Sequence, residues 1–197
     1  MLKSERTRLY ILDTVAPIFN ANGYSAMSLS KITEATGLTK GAIYGHFKNK
    51  EELASEAFRH CIRKVLKDLN TYVNKGKTPL DMLLNIAGFY GQYYEYSKQN
   101  GGCPILNIGV DVGSQDNSIS SLVRSYNNRI LKQLSKLIDD GKAFGQLKKD
   151  IDSDVYAKRF FYMIEGAAYM SYIMKDGGYL KDLQHNLEQI INTELKQ

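Results

Sequence analysis

From Ser28 to Lys50 the chain reads SLSKITEATGLTKGAIYGHFKNK, and its polar residues have types and spacing suited to a nucleic-acid contact. Lys40 and Ala42 stand near the start of a short predicted helix; Tyr44 and His46 follow within it, and Lys50 lies just beyond. Small or polar residues near a helix N-terminus reach base edges, and hydroxyl or cationic groups around them hold phosphates. A helix whose only task is packing has no need to expose Lys40, Ala42, Tyr44 and His46 together. The rest of the chain offers no nucleophile motif, no metal-ligand spacing and no phosphate loop, since GGCPILNIGVDVG lacks the required lysine. Binding is therefore the chemistry expected, and no enzyme activity is.

These residues need a scaffold, which the apolar spacing supplies. Ile32, Ala35 and Leu38, then Ile43 and Phe47, recur at helical intervals on either side of a break at Gly37. Gly37 suits a turn that demands positive φ, and Thr39 is a natural N-cap for a helix from Lys40 to His46. The pattern is a helix-turn-helix. A preceding helix, capped by Ser4 and ending at Gly23, brings Ile11, Leu12, Val15, Ile18 and Phe19 to close the core. Pro17 inside it is expected to kink the helix at a cost of about 3 kcal/mol. Arg6 and Arg8 have two readings, contact with a DNA backbone or a solvated terminus. Asn49 with Glu52 marks the next helix start, and Lys50 in its first turn opposes the helix dipole, which makes sense where a phosphate docks.

Gly23-Tyr24, Ile32, Gly37, Gly41, Tyr44, His46-Phe47, Lys50 and Glu51 together resemble the signature of the TetR family of bacterial transcriptional regulators. The most specific part is the G-x-x-Y-x-H-F-x-x-K-E ending; Thr33 and Thr36 depart from it, standing where the family often has alanine. The resemblance assigns Tyr44, His46 and Lys50 to phosphates, and Lys40 and Ala42 to bases, with Ser30, Lys31 and Thr39 in support. Lysine donates to guanine O6 or N7, and an alanine methyl meets the thymine methyl. It also implies an all-α chain: a three-helix DNA-binding domain over residues 1–50, and a larger helical ligand-binding and dimerisation domain over 51–197. The boundary is expected within the helix starting near residue 50. The implied function is a ligand-responsive regulator, usually a repressor, that binds a palindromic double-stranded operator as a homodimer and is released by a small molecule. The alternative is a ligand-independent or redox-responsive DNA-binding protein.

Composition agrees with this outline. The 197 residues carry a net charge of +5 and a pI near 9.0. Up to Lys50 the cations Lys3, Arg6, Arg8, Lys31, Lys40, Lys48 and Lys50 face only Glu5, Asp13 and Glu34. Cys61 and Cys103 are unpaired in spacing and read as free thiols, and the scattered His46, His60 and His185 suggest no metal site and no cofactor. A polar first segment without signal-peptide character, and the lack of a membrane-length apolar run, place the chain in the cytoplasm.

Beyond Lys50, a long helix runs to about Asn74, another from Thr78-Pro79 to Gly101-Gly102, then a turn and a short buried helix. Further helices follow from Ser118 to Asp140, from Asp152 to Gly177, and from Leu180 to Leu195. The last two are candidates for a homodimer interface built as a four-helix bundle. Phe89, Tyr93, Tyr126, Phe161, Tyr162 and Tyr169, with Cys103, Asn107 and Glu165, are expected to face one interior. By the resemblance this interior is a ligand pocket; by physics alone aromatic stripes also serve as plain core.

Overall fold

The structure is a computed structural model and describes residues 3–114 and 117–197. Its helices are α1 Lys3–Ala26, α2 Leu29–Thr36, α3 Lys40–Tyr44, α4 Lys50–Val73 and α5 Pro79–Gly91. Then come α6 Tyr93–Gln99, α7 Pro104–Val112, α8 Ser118–Ala143, α9 Ser153–Met174 and α10 Gly178–Ile190, with a π-helical turn at Ile191–Leu195. Among the described residues the only extended pairing is a single bridge between Leu147 and Lys196, so the fold is all-α as expected. No described helix is long and apolar enough to cross a membrane.

Two compact units result, one of Met1–Val65 with Asn100–Ser125 and one of Leu66–Gln99 with Tyr126–Gln197. The first therefore takes in α7, which a boundary near residue 50 assigns to the second domain. Its core is the expected apolar set: Ile11, Leu12, Val15 and Phe19 of α1 are buried with Ile32, Ile43 and Phe47, and Leu53, Phe58 and Ile62 of α4 join them. Each such side chain stabilises the unit by roughly 1.5–3 kcal/mol relative to exposure.

One expectation for α1 is corrected: Ser4 lies inside the helix instead of capping it, while at Pro17 the dihedrals stay helical. The departure comes at Gly23, with φ 80° and ψ 170°. There the chain is held from α7. Asp111 accepts the Tyr24 and Ser25 amides at 2.6 and 3.2 Å, and one turn earlier Asn107 donates to the carbonyls of Asn20 and Gly101 at 3.0 and 2.6 Å. Asn20, itself buried, donates to the carbonyls of Asn100 and Gly102. These bonds satisfy backbone groups that a helix end leaves orphaned.

Cys61 donates to the Ala16 carbonyl at 3.4 Å, and burial pushes its thiol up to about 12. The thiolate is the nucleophile, so the raised pKa and the hydrogen bond to Ala16 lower the reactivity of this group while the chain is folded. Iodoacetamide at neutral pH is expected to leave Cys61 unmodified in the native chain and to modify it after denaturation, as peptide mass mapping would show; native labelling at the rate of a free thiol would contradict the burial.

In the second unit, α5 opens with a capping box between Thr78 and Asp81. The single helix expected from there to Gly101 is broken at Gln92, whose φ of −105° and ψ of 2° separate α5 from α6. α8 passes through Gly141 and stops only before Gly145, which has φ 72°. The last helix expected from sequence becomes α10 plus the π-helical turn, pinned where Lys148 donates its amide to Leu195 and Glu194 receives both Arg159 and the Tyr156 hydroxyl.

α9 is less enclosed than its apolar circumference suggests. Phe160, Ile164, Ala168 and Ser171 are buried, whereas Val155, Tyr162, Tyr169 and Ile173 stand 55, 62, 49 and 55 % exposed. Spaced by seven, seven and four residues, these four form one outward stripe. On α10 the converse holds. Leu180, Leu183, Leu187 and Ile190 are buried within the unit, where α10 packs on α5 and α9, so its apolar seam belongs to the intramolecular core and its outward residues are polar.

Candidate nucleic-acid interface and ligand cavity

The turn between α2 and α3 is built as its residues dictate. Ser28 accepts the Lys31 amide at 3.3 Å, Gly37 ends α2 in the left-handed region at φ 67°, and Thr39 accepts the Ala42 amide at 3.2 Å to start α3. Thr36 fits without disturbance because its buried hydroxyl donates to the Ile32 carbonyl at 2.8 Å and accepts the Leu38 amide at 3.3 Å. The end of α2 is tied to α1 by the Tyr10 hydroxyl, which donates to the Thr36 carbonyl at 2.9 Å.

Ser30, Lys31, Thr39, Lys40 and Ala42 are exposed around this turn; Tyr44, His46 and Lys50 are half-buried. All eight predicted DNA-contacting residues thus belong to one unit, but α3 ends at Tyr44, so His46 lies in the turn after it and not within the helix expected to run to His46. Their local partners differ. Lys31 Nζ donates to the Ala26 carbonyl at 3.2 Å, the Ser30 hydroxyl lies 2.8 Å from that of Ser28, and Lys40 Nζ is 6.0 Å from the Tyr44 ring centroid.

Lys50 has a partner that charge arguments alone do not supply. Its Nζ sits 4.6 Å from the centroid of the Tyr24 ring, an attraction that offsets the unfavourable helix dipole and holds the ammonium in place. Tyr24 is thereby a positioning residue, and its only trace in the sequence is the Gly23-Tyr24 pair. The start of α4 is otherwise as predicted: Asn49 accepts the Glu52 amide at 2.8 Å, while Glu52 reaches back to the Lys48 amide at 2.6 Å. Arg8 is engaged in the fold, with its guanidinium 4.9 Å from the Phe47 ring centroid and 3.3 Å from Glu56.

Of the nine residues expected to face a ligand interior, Phe161 borders the cavity found in the structure. A cavity of about 330 Å³ lies wholly in the second unit. Leu66, Leu69 and Val73 of α4, Ile86 and Tyr90 of α5, and Ile130, Leu134 and Leu137 of α8 line it, with Phe161 and Ile164 of α9. Of the nine, Phe161 alone appears in this lining. Cys103 and Asn107 belong to the first unit, where the Asn107 amide is engaged by the Asn20 and Gly101 carbonyls. Tyr162 and Tyr169 point outward from α9. Phe89 and Tyr93 belong to an aromatic cluster with Tyr72 and Tyr90, at centroid separations of 5.3–6.1 Å, and only Tyr90 of that cluster borders the cavity. Tyr126 and Glu165 are half-buried in the second unit, outside the lining. The aliphatic lining reads as core in the sequence because a buried leucine has the same periodicity whether it meets a side chain or a void.

A helix-turn-helix with an exposed cationic face, joined to a helical unit holding an apolar cavity, defines a DNA-binding transcriptional regulator. Comparison with known proteins makes the class specific. The family model for bacterial regulatory proteins of the tetR family matches residues 11–57, and that for the tetracyclin repressor-like C-terminal domain matches residues 79–187. The chain belongs to the TetR family. It is 46% identical over 54 residues to the HTH-type transcriptional regulator AcrR of Shigella flexneri, a match covering 27% of this chain and 25% of that one. Identity to the HTH-type transcriptional repressor DhaR of Mycobacterium sp. (strain GP1) is 23% over 164 residues, 81% of this chain and 79% of the other. The crystal structure of a TetR transcriptional regulator from Chloroflexus aurantiacus J-10-FL superposes with a TM-score of 0.94 at 28% identity, covering 100% of this chain and 99% of that one.

Proposed function

We propose that two copies of this chain bind a palindromic operator through α2 and α3, repress transcription, and are released when a small molecule occupies the cavity of the second unit. The observation that carries this reading is the outward face of α3, where Lys40 and Ala42 are exposed beside Thr39 while Ile43 and Phe47 anchor the helix from below. Lys40 and Ala42 read bases; Tyr44, His46 and Lys50 hold phosphates, and Ser30, Lys31 and Thr39 support them. The exposed stripe of α9 supplies an apolar surface for a second copy, with the polar outer face of α10 at its flank. Half-sites then demand recognition helices about 34–36 Å apart.

Release needs no direct contact between ligand and DNA. A ligand shifts the dimer between conformations only through its differential affinity for them. α4 is suited to carry the effect, because one continuous helix holds Lys50 at its start and borders the cavity with Leu66, Leu69, Asn70 and Val73 near its end. The redox alternative falls on Cys103, half-buried at the start of α7, and would require DNA release on oxidation that vanishes in a Cys103→Ser variant.

The test is selection of bound fragments from sheared genomic DNA of the source organism. Enrichment of a short palindrome is the expected result, and recovery of bulk DNA with no enriched sequence at moderate salt would overturn the reading. On the selected fragment, Lys50→Ala is expected to weaken binding to every sequence alike and to reduce the magnitude of the salt slope by about one. An unchanged slope in filter-binding titrations would remove Lys50 from the phosphate contacts.

A further inference from the structure

The cavity's charge inventory restricts what it accepts. Among the described residues lining it, only Lys136 and Asp140 are charged, and they neutralise each other: Lys136 Nζ donates to Asp140 Oδ1 at 2.8 Å and to Oδ2 at 2.6 Å. Both sit one turn apart on α8 and are 74 and 49 % exposed, so the pair marks the solvent side of the cavity. The remaining polar lining is neutral, comprising the Asn70 and Gln133 amides and the Tyr90 hydroxyl. A buried ion without a counter-ion is strongly disfavoured in such a site, whereas a neutral donor or acceptor needs only one partner. An anion whose charge enters among the aliphatic side chains finds no counter-ion there, since Lys136 lies at the solvent side and is already neutralised by Asp140. A cation would meet the mirror-image problem.

We infer that the effector is an uncharged apolar molecule with one or two neutral hydrogen-bonding groups. This rests on the reading of the cavity as the effector site and adds its chemical class. Its size follows from volume: 330 Å³ corresponds to on the order of eleven heavy atoms, taking about 30 Å³ for each as for liquid water. The apolar body lies among Leu69, Ile86, Leu134 and Phe161, and its polar end meets Asn70 or Gln133. Specificity then comes from shape and from one amide contact.

Three probes of matched length separate the possibilities: 1-decanol, decanoate and decylammonium, titrated calorimetrically into the full chain at neutral pH, below micelle formation. Decanol is expected to bind at least about tenfold more tightly than either ion. Leu134→Trp, which fills the cavity, is expected to abolish decanol binding. Should that variant not fold, Lys136→Ala is read as a ratio within one protein: with Asp140 unpaired, decylammonium gains on decanol by about fivefold or more. Decanoate or decylammonium binding as tightly as decanol to the unaltered chain would overturn the uncharged class while leaving the cavity as the effector site. Failure of all three probes, together with failure of the neutral dye N-phenyl-1-naphthylamine to bind, would overturn both.

Discussion

Replacing Ala42 with glutamate is expected to reduce operator affinity by about a hundredfold or more while leaving the first unit as stable as before, or slightly more so. The two effects have opposite signs for separate physical reasons. Thr39 caps α3 and its hydroxyl already accepts the Ala42 amide, so a glutamate side chain at this position would complete a capping box and place a negative charge at the positive end of the helix. This contributes about 0.5 kcal/mol in favour of folding. The Ala42 side chain is exposed, so the longer glutamate needs no repacking. Against DNA the same carboxylate replaces a methyl that can meet a thymine methyl and brings a like charge among phosphates. Fluorescence anisotropy with the selected fragment reads the first effect, and a thermal melt reads the second. Affinity within about threefold of the parent, against the several kcal/mol that like-charge juxtaposition costs, would mean that α3 does not enter the groove as proposed.

The exposure of Lys40 and Ala42 is legible in sequence because both fall off the apolar spacing that Ile43 and Phe47 continue. The core of the helix-turn-helix is legible too, since Ile32, Ile43 and Phe47 are spaced by helix geometry and Gly37 by the turn between. What periodicity does not give is the company each residue keeps across the chain. Asn107 and Cys103 follow a glycine turn and read as pocket residues, yet the fold packs α7 on α1, where Asn107 satisfies helix-end carbonyls. Tyr162 and Phe161 are adjacent, and a one-residue step on a helix turns the side chain by about 100°, so one borders the cavity and the other faces outward. α9 and α10 both read as candidates for a homodimer interface; only their packing shows that Leu183 and Leu187 are buried inside the unit while Tyr162 and Ile173 are exposed. Pro17 reads as a kink inside a continuing helix, and the burial of Ile11, Val15 and Phe19 on that helix offsets its local penalty of about 3 kcal/mol.

Gly23→Ala tests the contact that sequence does not reveal, and it is expected to destabilise the first unit by about 3 kcal/mol. Two terms add. At φ 80° and ψ 170° Gly23 occupies a region that is essentially closed to other residues. A Cβ built there would also lie 2.9 Å from Asp111 Cγ and Oδ2, closer than carbon atoms pack. Asp111 cannot simply withdraw, because the same Oδ2 accepts the Tyr24 and Ser25 amides, and moving it leaves two donors at the end of α1 without their acceptor. Gly37→Ala is the control: its φ of 67° is also left-handed, but nothing lies within 4 Å of an added Cβ, so only backbone strain of about 1 kcal/mol is expected. Urea denaturation of both variants reads, as their difference, the combined cost of the closed backbone region and the Asp111 contact at Gly23. Equal losses would mean that α7 yields freely and does not hold α1. A larger loss at Gly23 carries a functional consequence, because the next residue is Tyr24, whose ring carries Lys50. Displacing that ring should lower operator affinity even at temperatures where Gly23→Ala remains folded, while Gly37→Ala leaves the Tyr24–Lys50 contact in place.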